Sequence, residues 1–425
     1  MINVNRREVL KALTAAGLFC APLPFGLRSL AFATEESTPT LMVIHLRGGC
    51  DGLNLISPAD DPDFIAARPA DLRVLKEGKD AGYALGNNLS TLIDFRLHAM
   101  AGGLNELYQN KHLAFIHACG LMDSTRSHFV ATDMIEAGIG STNELLHSQS
   151  GWLTRAIRSH TKTNQGLEAF VLNGLIPGDL LGLEQVLAAT DINNGLPSVG
   201  GDAVATALWQ MYSHRNDILG KSVQQALKLP SVIDQRISRD PQGHIIAYTP
   251  ENGANYDKSG GFGSVMKSAA RLIKMEVGLQ AITLDYGGWD NHENQAGAFR
   301  NLVDTLSTAL NAFWNDINAY HNRVALVMIT EFGRRLRSNN SGGTDHGRAS
   351  VMTVLGGNVQ GGKLYGKWPG LSTSQLIEGV DLAVTTDYRQ VLSEILLALN
   401  GGSTLDIFPG FNSVNSLGLF TPGSS

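Results

Sequence analysis

Four short clusters in this chain set carboxylates or imidazoles beside apolar, strand-like runs. They are RGGCDG (47–52), GGWDNH (287–292), TEFGR (330–334) and GGTDHG (342–347). In an open α/β sheet, ligands bind at the carboxyl ends of strands. The pattern therefore draws Asp51, Asp290, His292, Glu331, Asp345 and His346 toward one crevice. Carboxylate with imidazole is a donor set suited to zinc, manganese or iron, and the chemistry it suggests is metal-assisted hydrolysis. Singly, the clusters are weak. An aspartate in a glycine turn, such as Asp51 or Asp290, more commonly caps the next helix. His292, two residues beyond Asp290, adds a ligand-like spacing. Glu331 stands at the tip of the most strand-like run in the chain, and Arg334 could simply pair with it at the surface.

A nucleophile is expected from another strand end. The run 113–118 leads into Ser124, Thr125, Arg126, Ser127 and His128. Hydroxyls there would lie at a helix N-terminus, where free N–H groups and the helix dipole favour an anion. Capping is the plain alternative, with Ser124 or Ser127 accepting from an N–H two or three residues on. Arg126 and His128 flank the hydroxyls and could hold an oxyanion, which attack at phosphorus or sulfur requires. A Ser-His-Asp hydrolase is excluded because no G-x-S-x-G elbow follows a strand. The glycines at 258–264 (KSGGFGS) have no G-K-[ST] and form no P-loop. His45, His98, His112 and His117 fall in or beside expected elements and read as core or surface histidines.

The elements needed to position these groups alternate. Strands are expected at 41–46, 113–118, 168–173, 279–285, 323–330 and 350–355. Helices are expected at 99–110, 127–137, 202–227, 263–276, 295–320 and 386–399. Such alternation implies a three-layer α/β/α sandwich around a mostly parallel sheet. The stretch 176–260 fits it poorly and reads as an insertion or cap over one edge.

Residues 1–33 read as an address. Asn5-Arg6-Arg7-Glu8-Val9-Leu10-Lys11 resembles a twin-arginine export motif, Ala12–Leu30 is moderately apolar, and Ala31-Phe32-Ala33 offers a cleavage site. Pro22 and Pro24 interrupt the apolar stretch, which argues against a lasting membrane anchor. Phe19 before Cys20 suits a lipoprotein cleavage site poorly. The expected product is residues 34–425, periplasmic or secreted. The address carries Arg6, Arg7, Lys11 and Arg28 against Glu8, so its loss takes the net charge from −6 to −9. That balance excludes nucleic acid as a partner. Cys50 and Cys119 both follow expected strands and could form one disulfide after export, although a small buried core residue is the commoner role.

With these residues in view, the mature chain resembles the domain-of-unknown-function family 1501, exported proteins similar to sulfatases and the alkaline phosphatase superfamily. The resemblance rests on RGGCDGLN (47–54), TRSHF (125–129), GWL (151–153), GGWDNHENQ (287–295), TEFGR (330–334), GGTDHG (342–347), GGKLYGKWPGL (361–371) and TTDYR (385–389). It implies a binuclear metal site and a Ser, Thr or modified Cys nucleophile. By position, Asp51 matches the first-strand ligand, and Asp290 with His292 the Asp-to-His pair. Glu331 matches a strand-tip aspartate, and His346 the late histidine, with Asp345 beside it. Two departures stand out. Asp290 and His292 are two residues apart where the superfamily has four, and Phe332 replaces a histidine. Loss of that histidine points to one metal instead of two, or to a different metal. Cys119 lies outside a Cys-x-Pro-Ser-Arg pattern, which argues against a modified-cysteine sulfatase.

The resulting expectation is an exported phosphatase- or sulfatase-like hydrolase. It would use one or two divalent ions, zinc, manganese or calcium, on a small-molecule or glycan ester, after passage through the twin-arginine machinery. A binding or assembly protein without turnover is the competing expectation. Transfer of a phospho-substituent onto a cell-surface glycan is a third.

Overall fold

All seven residues of Thr40–Leu46 are buried, a pattern that only a strand covered on both faces sustains. The computed structural model describes residues 38–421 apart from 87, 88, 90, 91, 146, 147, 161–165, 194, 197–201, 401, 402, 413 and 414. The export signal expected at 1–33 lies outside the described residues.

The strands are β1 (Thr40–Leu46), β2 (Leu113–Gly120), β3 (Ala169–Leu172), β4 (Val186–Ala189), β5 (Ala281–Tyr286) and β6 (Val324–Ile329). They continue as β7 (Arg334–Ser338), β8 (Thr344–His346), β9 (Ser350–Gly356), β10 (Lys363–Tyr365) and β11 (Thr386–Asp387). The central sheet runs β10-β2-β9-β6-β1-β5-β3-β4, with β11 also paired to β2. Every pairing in it is parallel except those of β9 with β2 and β6. The reversed β9 therefore begins at the edge where β1, β2, β5 and β6 end. Alternate residues of β1 serve opposite cores: Met42, Ile44 and Leu46 face one, Leu41 and Val43 the other.

Helices α1 (Gly102–Gln109), α2 (His128–Ala137), α3 (Trp152–His160), α4 (Asp202–Tyr212), α5 (Ile218–Asp234), α6 (Gly260–Lys274), α7 (Gln295–Asp316) and α8 (Tyr388–Asn400) complete the layers. Residues of α1, α5, α6 and α7 fill the first core; those of α2, α3 and α8 fill the second. The chain is thus a three-layer α/β/α sandwich on a mostly parallel sheet.

Two expectations change, and the open question of the two cysteines closes. The helix expected at 202–227 is two helices, because Asp217 caps a new start by accepting from the Gly220 N–H at 2.8 Å. The 176–260 stretch contributes β4 to the sheet, pairing parallel with β3, while Leu229, Val232 and Ile233 of α5 enter the first core. Cys50 and Cys119 are both free and buried, and burial pushes both thiols up. Among the described residues no helix is long and apolar enough to cross a membrane.

Candidate metal centre

The edge where the parallel strands end gathers side chains from four segments. Asp290 lies four residues past β5, Glu331 two past β6, His128 opens α2 beyond β2, and His346 ends β8 just before β9. The glycines of the first cluster make this convergence possible. Gly48 has φ +116°, and a Cβ there would stand 2.5 Å from the Asp290 nitrogen. Gly49, at φ +71°, would meet the Phe332 ring at 2.6 Å. Only glycine tolerates both the backbone and the approach.

Asp290 is the hub. Its Oδ1 lies 3.0 Å from His292 Nε2 and 3.2 Å from His346 Nε2, and its Oδ2 lies 3.4 Å from His128 Nε2. The Nε2 atoms of His292 and His346 are themselves 2.9 Å apart. His128, Asp290 and His346 each place one donor atom within 4.8 Å of the others. Phe332 walls the site, its ring 4.8 Å from that of His128 and 4.7 Å from that of His346.

Each imidazole is fixed from behind. His128 Nδ1 meets Glu331 Oε1 at 2.7 Å, His292 Nδ1 meets Asp345 Oδ1 at 3.3 Å, and His346 Nδ1 meets the Arg126 carbonyl at 2.9 Å. All three partners are acceptors, so each Nδ1 carries the proton and each Nε2 presents a lone pair. Carboxylate or carbonyl behind a ligating histidine is how metal sites orient their rings. Three lone pairs facing one ionised carboxylate repel unless a cation lies among them. His128 Nε2 is buried and has no hydrogen-bond partner among the described residues. The residues therefore fit a metal ion.

The electrostatics agree. Burial would raise the Asp290 carboxyl, but the hydrogen bond from the Arg334 guanidinium outweighs it and holds it down at about 2. Hydrogen bonding from Asn339 lowers Asp345, and burial lowers His346, favouring the neutral ring. Ligation requires these forms.

The expected site residues divide. Asp290, His292 and His346 come together. Glu331 and Asp345 stand behind imidazoles, Glu331 also accepting from the Gly48 N–H at 2.8 Å. His128, read from sequence as an oxyanion holder, belongs with the imidazoles. Asp51 stands apart: it is buried, caps residues 52–55, and binds Arg68 through both oxygens at 2.7 and 3.1 Å. Gln295 also donates to it at 2.7 Å. Arg334, which could have paired with Glu331 at the surface, is buried and donates to Asp290 Oδ1 at 2.6 Å and to the Gly49 and Thr344 carbonyls. The Arg126 guanidinium is taken up by Asp381 and Glu378. Ser124 and Ser127 are exposed on the segment leading into α2, and Thr125 Oγ1 accepts from the Ser127 N–H at 3.2 Å. Ser127 occupies the cap position without a side-chain cap bond.

Sequence reasoning missed Arg68, Gln295, Asn339, Asp381 and the buried role of Arg334. Arg334 alone carried a signal, three residues after Glu331 on the same cluster.

A family model described as a protein of unknown function, DUF1501, matches residues 147–396. The chain belongs to that family. No curated protein is similar enough to match it. Among solved structures it is similar to a protein in the alkaline phosphatase superfamily from Vibrio parahaemolyticus, at 12% identity and a TM-score of 0.38, over 94% of this chain and 76% of that one. It is similar also to the C-terminal periplasmic domain of EcEptC from Escherichia coli (9%, TM-score 0.40, 90% and 89%). A third is the alkaline phosphatase from the Antarctic bacterium TAB5 (9%, TM-score 0.35, 86% and 100%). Likeness at this level is one of general architecture, and the chemistry of the site stands on the chain's own residues.

Proposed function

We propose that this DUF1501 protein is an exported metal-dependent hydrolase of phosphate or sulfate esters. The observation that carries the reading is the meeting of His128, His292 and His346 Nε2 atoms around Asp290, each ring locked from behind. Three imidazoles with one carboxylate suit zinc, manganese or iron; calcium prefers oxygen ligands. One ion fits between His128, Asp290 and His346, with His292 alongside, in keeping with Asp51 being bound to Arg68. When bound, such an ion polarises a phosphoryl or sulfuryl oxygen or activates water.

The chain's own groups supply the rest. Arg334 holds Asp290 in place and ionised. Glu331, Asp345 and the Arg126 carbonyl hold the three rings with lone pairs forward. A hydroxyl of Ser124, Thr125 or Ser127 is the attacking group. Its oxygen bonds to phosphorus or sulfur, the alcohol leaves with a proton, and water then frees the hydroxyl. Export follows from the twin-arginine-like segment at 1–33, which also accounts for a periplasmic or secreted location and for dependence on that machinery.

Metal analysis of purified protein and a panel of phosphate and sulfate esters test this. Bound metal and turnover should both vanish in Asp290→Ala and His346→Ala. Stoichiometric metal with no turnover on any ester would favour the binding-protein reading, and no metal at all would end the hydrolase reading. Arg6→Lys with Arg7→Lys should abolish export in cell fractionation.

A further inference from the structure

Three arginines lie beside the cluster, and among the described residues only Arg126 of the three hydrogen-bonds a carboxylate. Arg126 donates to Asp381 at 3.0 Å and to Glu378 at 2.8 Å. Arg335 comes to 4.0 Å of the same buried Asp381. Its Nε is buried without a hydrogen-bond partner among the described residues, as is the Nε of Arg348. Arg348 otherwise donates to the Met122 carbonyl at 3.1 Å.

Both rise from backbone next to the metal-ligand set. Gly333 N–H donates to the Arg348 carbonyl at 2.9 Å, and Gly347 N–H to the Gly333 carbonyl at 2.8 Å. Arg335 thus follows directly after the arginine that holds Asp290, and Arg348 comes two residues after His346. The three guanidinium groups share Asp381 and Glu378, and Arg335 also lies within electrostatic reach of Asp345, so charge is balanced while donors on Arg335 and Arg348 stay unused. Arg335 and Arg348 both lie within electrostatic reach of Asp381 and Glu378, and guanidiniums with unused donors match the planar, forked geometry of an oxyanion.

We infer that Arg335 and Arg348 form an anion subsite beside the metal centre, so that the substrate carries a second acidic group next to the ester being cleaved. The first half stands on the arginines alone; the second rests on the hydrolase reading above. Arg126 braces the subsite through Asp381 without holding the anion.

Two measurements on the whole protein test the halves separately. In metal-free protein, sulfate should move the Nε–H nuclear magnetic resonance signals of Arg335 and Arg348 together. In zinc-loaded protein, calorimetry should show phosphonoacetate, with two acidic groups, binding about tenfold tighter than methylphosphonate. The Arg335→Gln/Arg348→Gln pair should bring that ratio near one without changing zinc content. Arg337→Gln, which removes an exposed charge on the same strand, should leave the ratio intact. If the double variant unfolds, Arg335→Lys serves, because it keeps the charge, loses the fork and should lower the ratio. Sulfate that leaves both arginines unmoved, or a ratio that survives the double variant, overturns the subsite. Failure to load zinc sinks the hydrolase reading while the sulfate result still judges the arginines.

Discussion

Asp51 and Asp290 issue from the same kind of turn, a glycine pair just past a parallel strand, and meet opposite fates. Asp51 is 2% exposed and clasped through both oxygens by Arg68, with Gln295 as a further donor. Asp290 keeps 48% of its side chain exposed, yields one oxygen to Arg334, and turns toward three imidazoles. One carboxylate closes the fold; the other stays open at the rim among the imidazoles. The histidines divide the same way. His117 donates from Nε2 to the Ile56 carbonyl at 3.1 Å and accepts at Nδ1 from the Ala118 N–H at 2.8 Å. Both its nitrogens are used, whereas His128 has one in use and one waiting.

The largest effect should come from breaking the closed pair. Arg68→Ala leaves a buried, unpaired carboxylate and should cost about 3–5 kcal/mol, read by urea unfolding. Asp290→Asn, at the open rim, should cost no more than about 1 kcal/mol. Equal losses would erase the distinction. His117 comes next. Burial lowers its pKa to about 4, against an ordinary 6.5. Between those values the unfolded chain binds a proton the native ring refuses. Its contribution is therefore complete above pH 6.5 and falls as the pH drops toward 4, by about 3 kcal/mol. His98, similarly lowered by burial and by Arg300, adds the same sign. Unfolding curves from pH 7.5 to 4 should show this fall, with a shallower one in His117→Gln.

Metal should act on the open side only. Zinc at a hundredfold excess over its dissociation constant should stabilise the fold by about 2.7 kcal/mol, and chelation should reverse the rise in melting temperature. A melting curve indifferent to chelation of loaded protein would mean that the imidazoles are not ligands. The smallest effect sharpens the role of the residues behind the rings. Glu331→Gln should weaken metal affinity about 10–100-fold with the secondary structure intact by circular dichroism.

The strands were legible because their signal is local. Val324–Ile329 is buried at every position, and an unbroken branched run announces that before any partner is known. The convergence of Asp290, His292 and His346 was legible too, since glycine-flanked polar groups at strand ends have few other reasons to cluster. His128 was placed near the site but in another role. Its place among the imidazoles depends on Glu331, 203 residues away, accepting from its Nδ1. Nothing local told Asp51 from Asp290, because Arg68 and Arg334 look alike in a sequence. The hairpin of β7 and β8 was also missed. Its strands are short, and the Asn339 turn that orders Asp345 reads as an ordinary polar loop.

By itself, then, the sequence determined the α/β layering, the strand ends that carry polar groups, and the glycines that let them approach. Periodicity and backbone freedom are properties of neighbouring residues, so they can be read along the chain. The fold alone decided which carboxylate is neutralised, which ring nitrogen is left with a lone pair, and which arginines lack partners. Those outcomes depend on distances of a few ångströms between residues far apart in the chain, and such distances exist only once the sheet has closed around them.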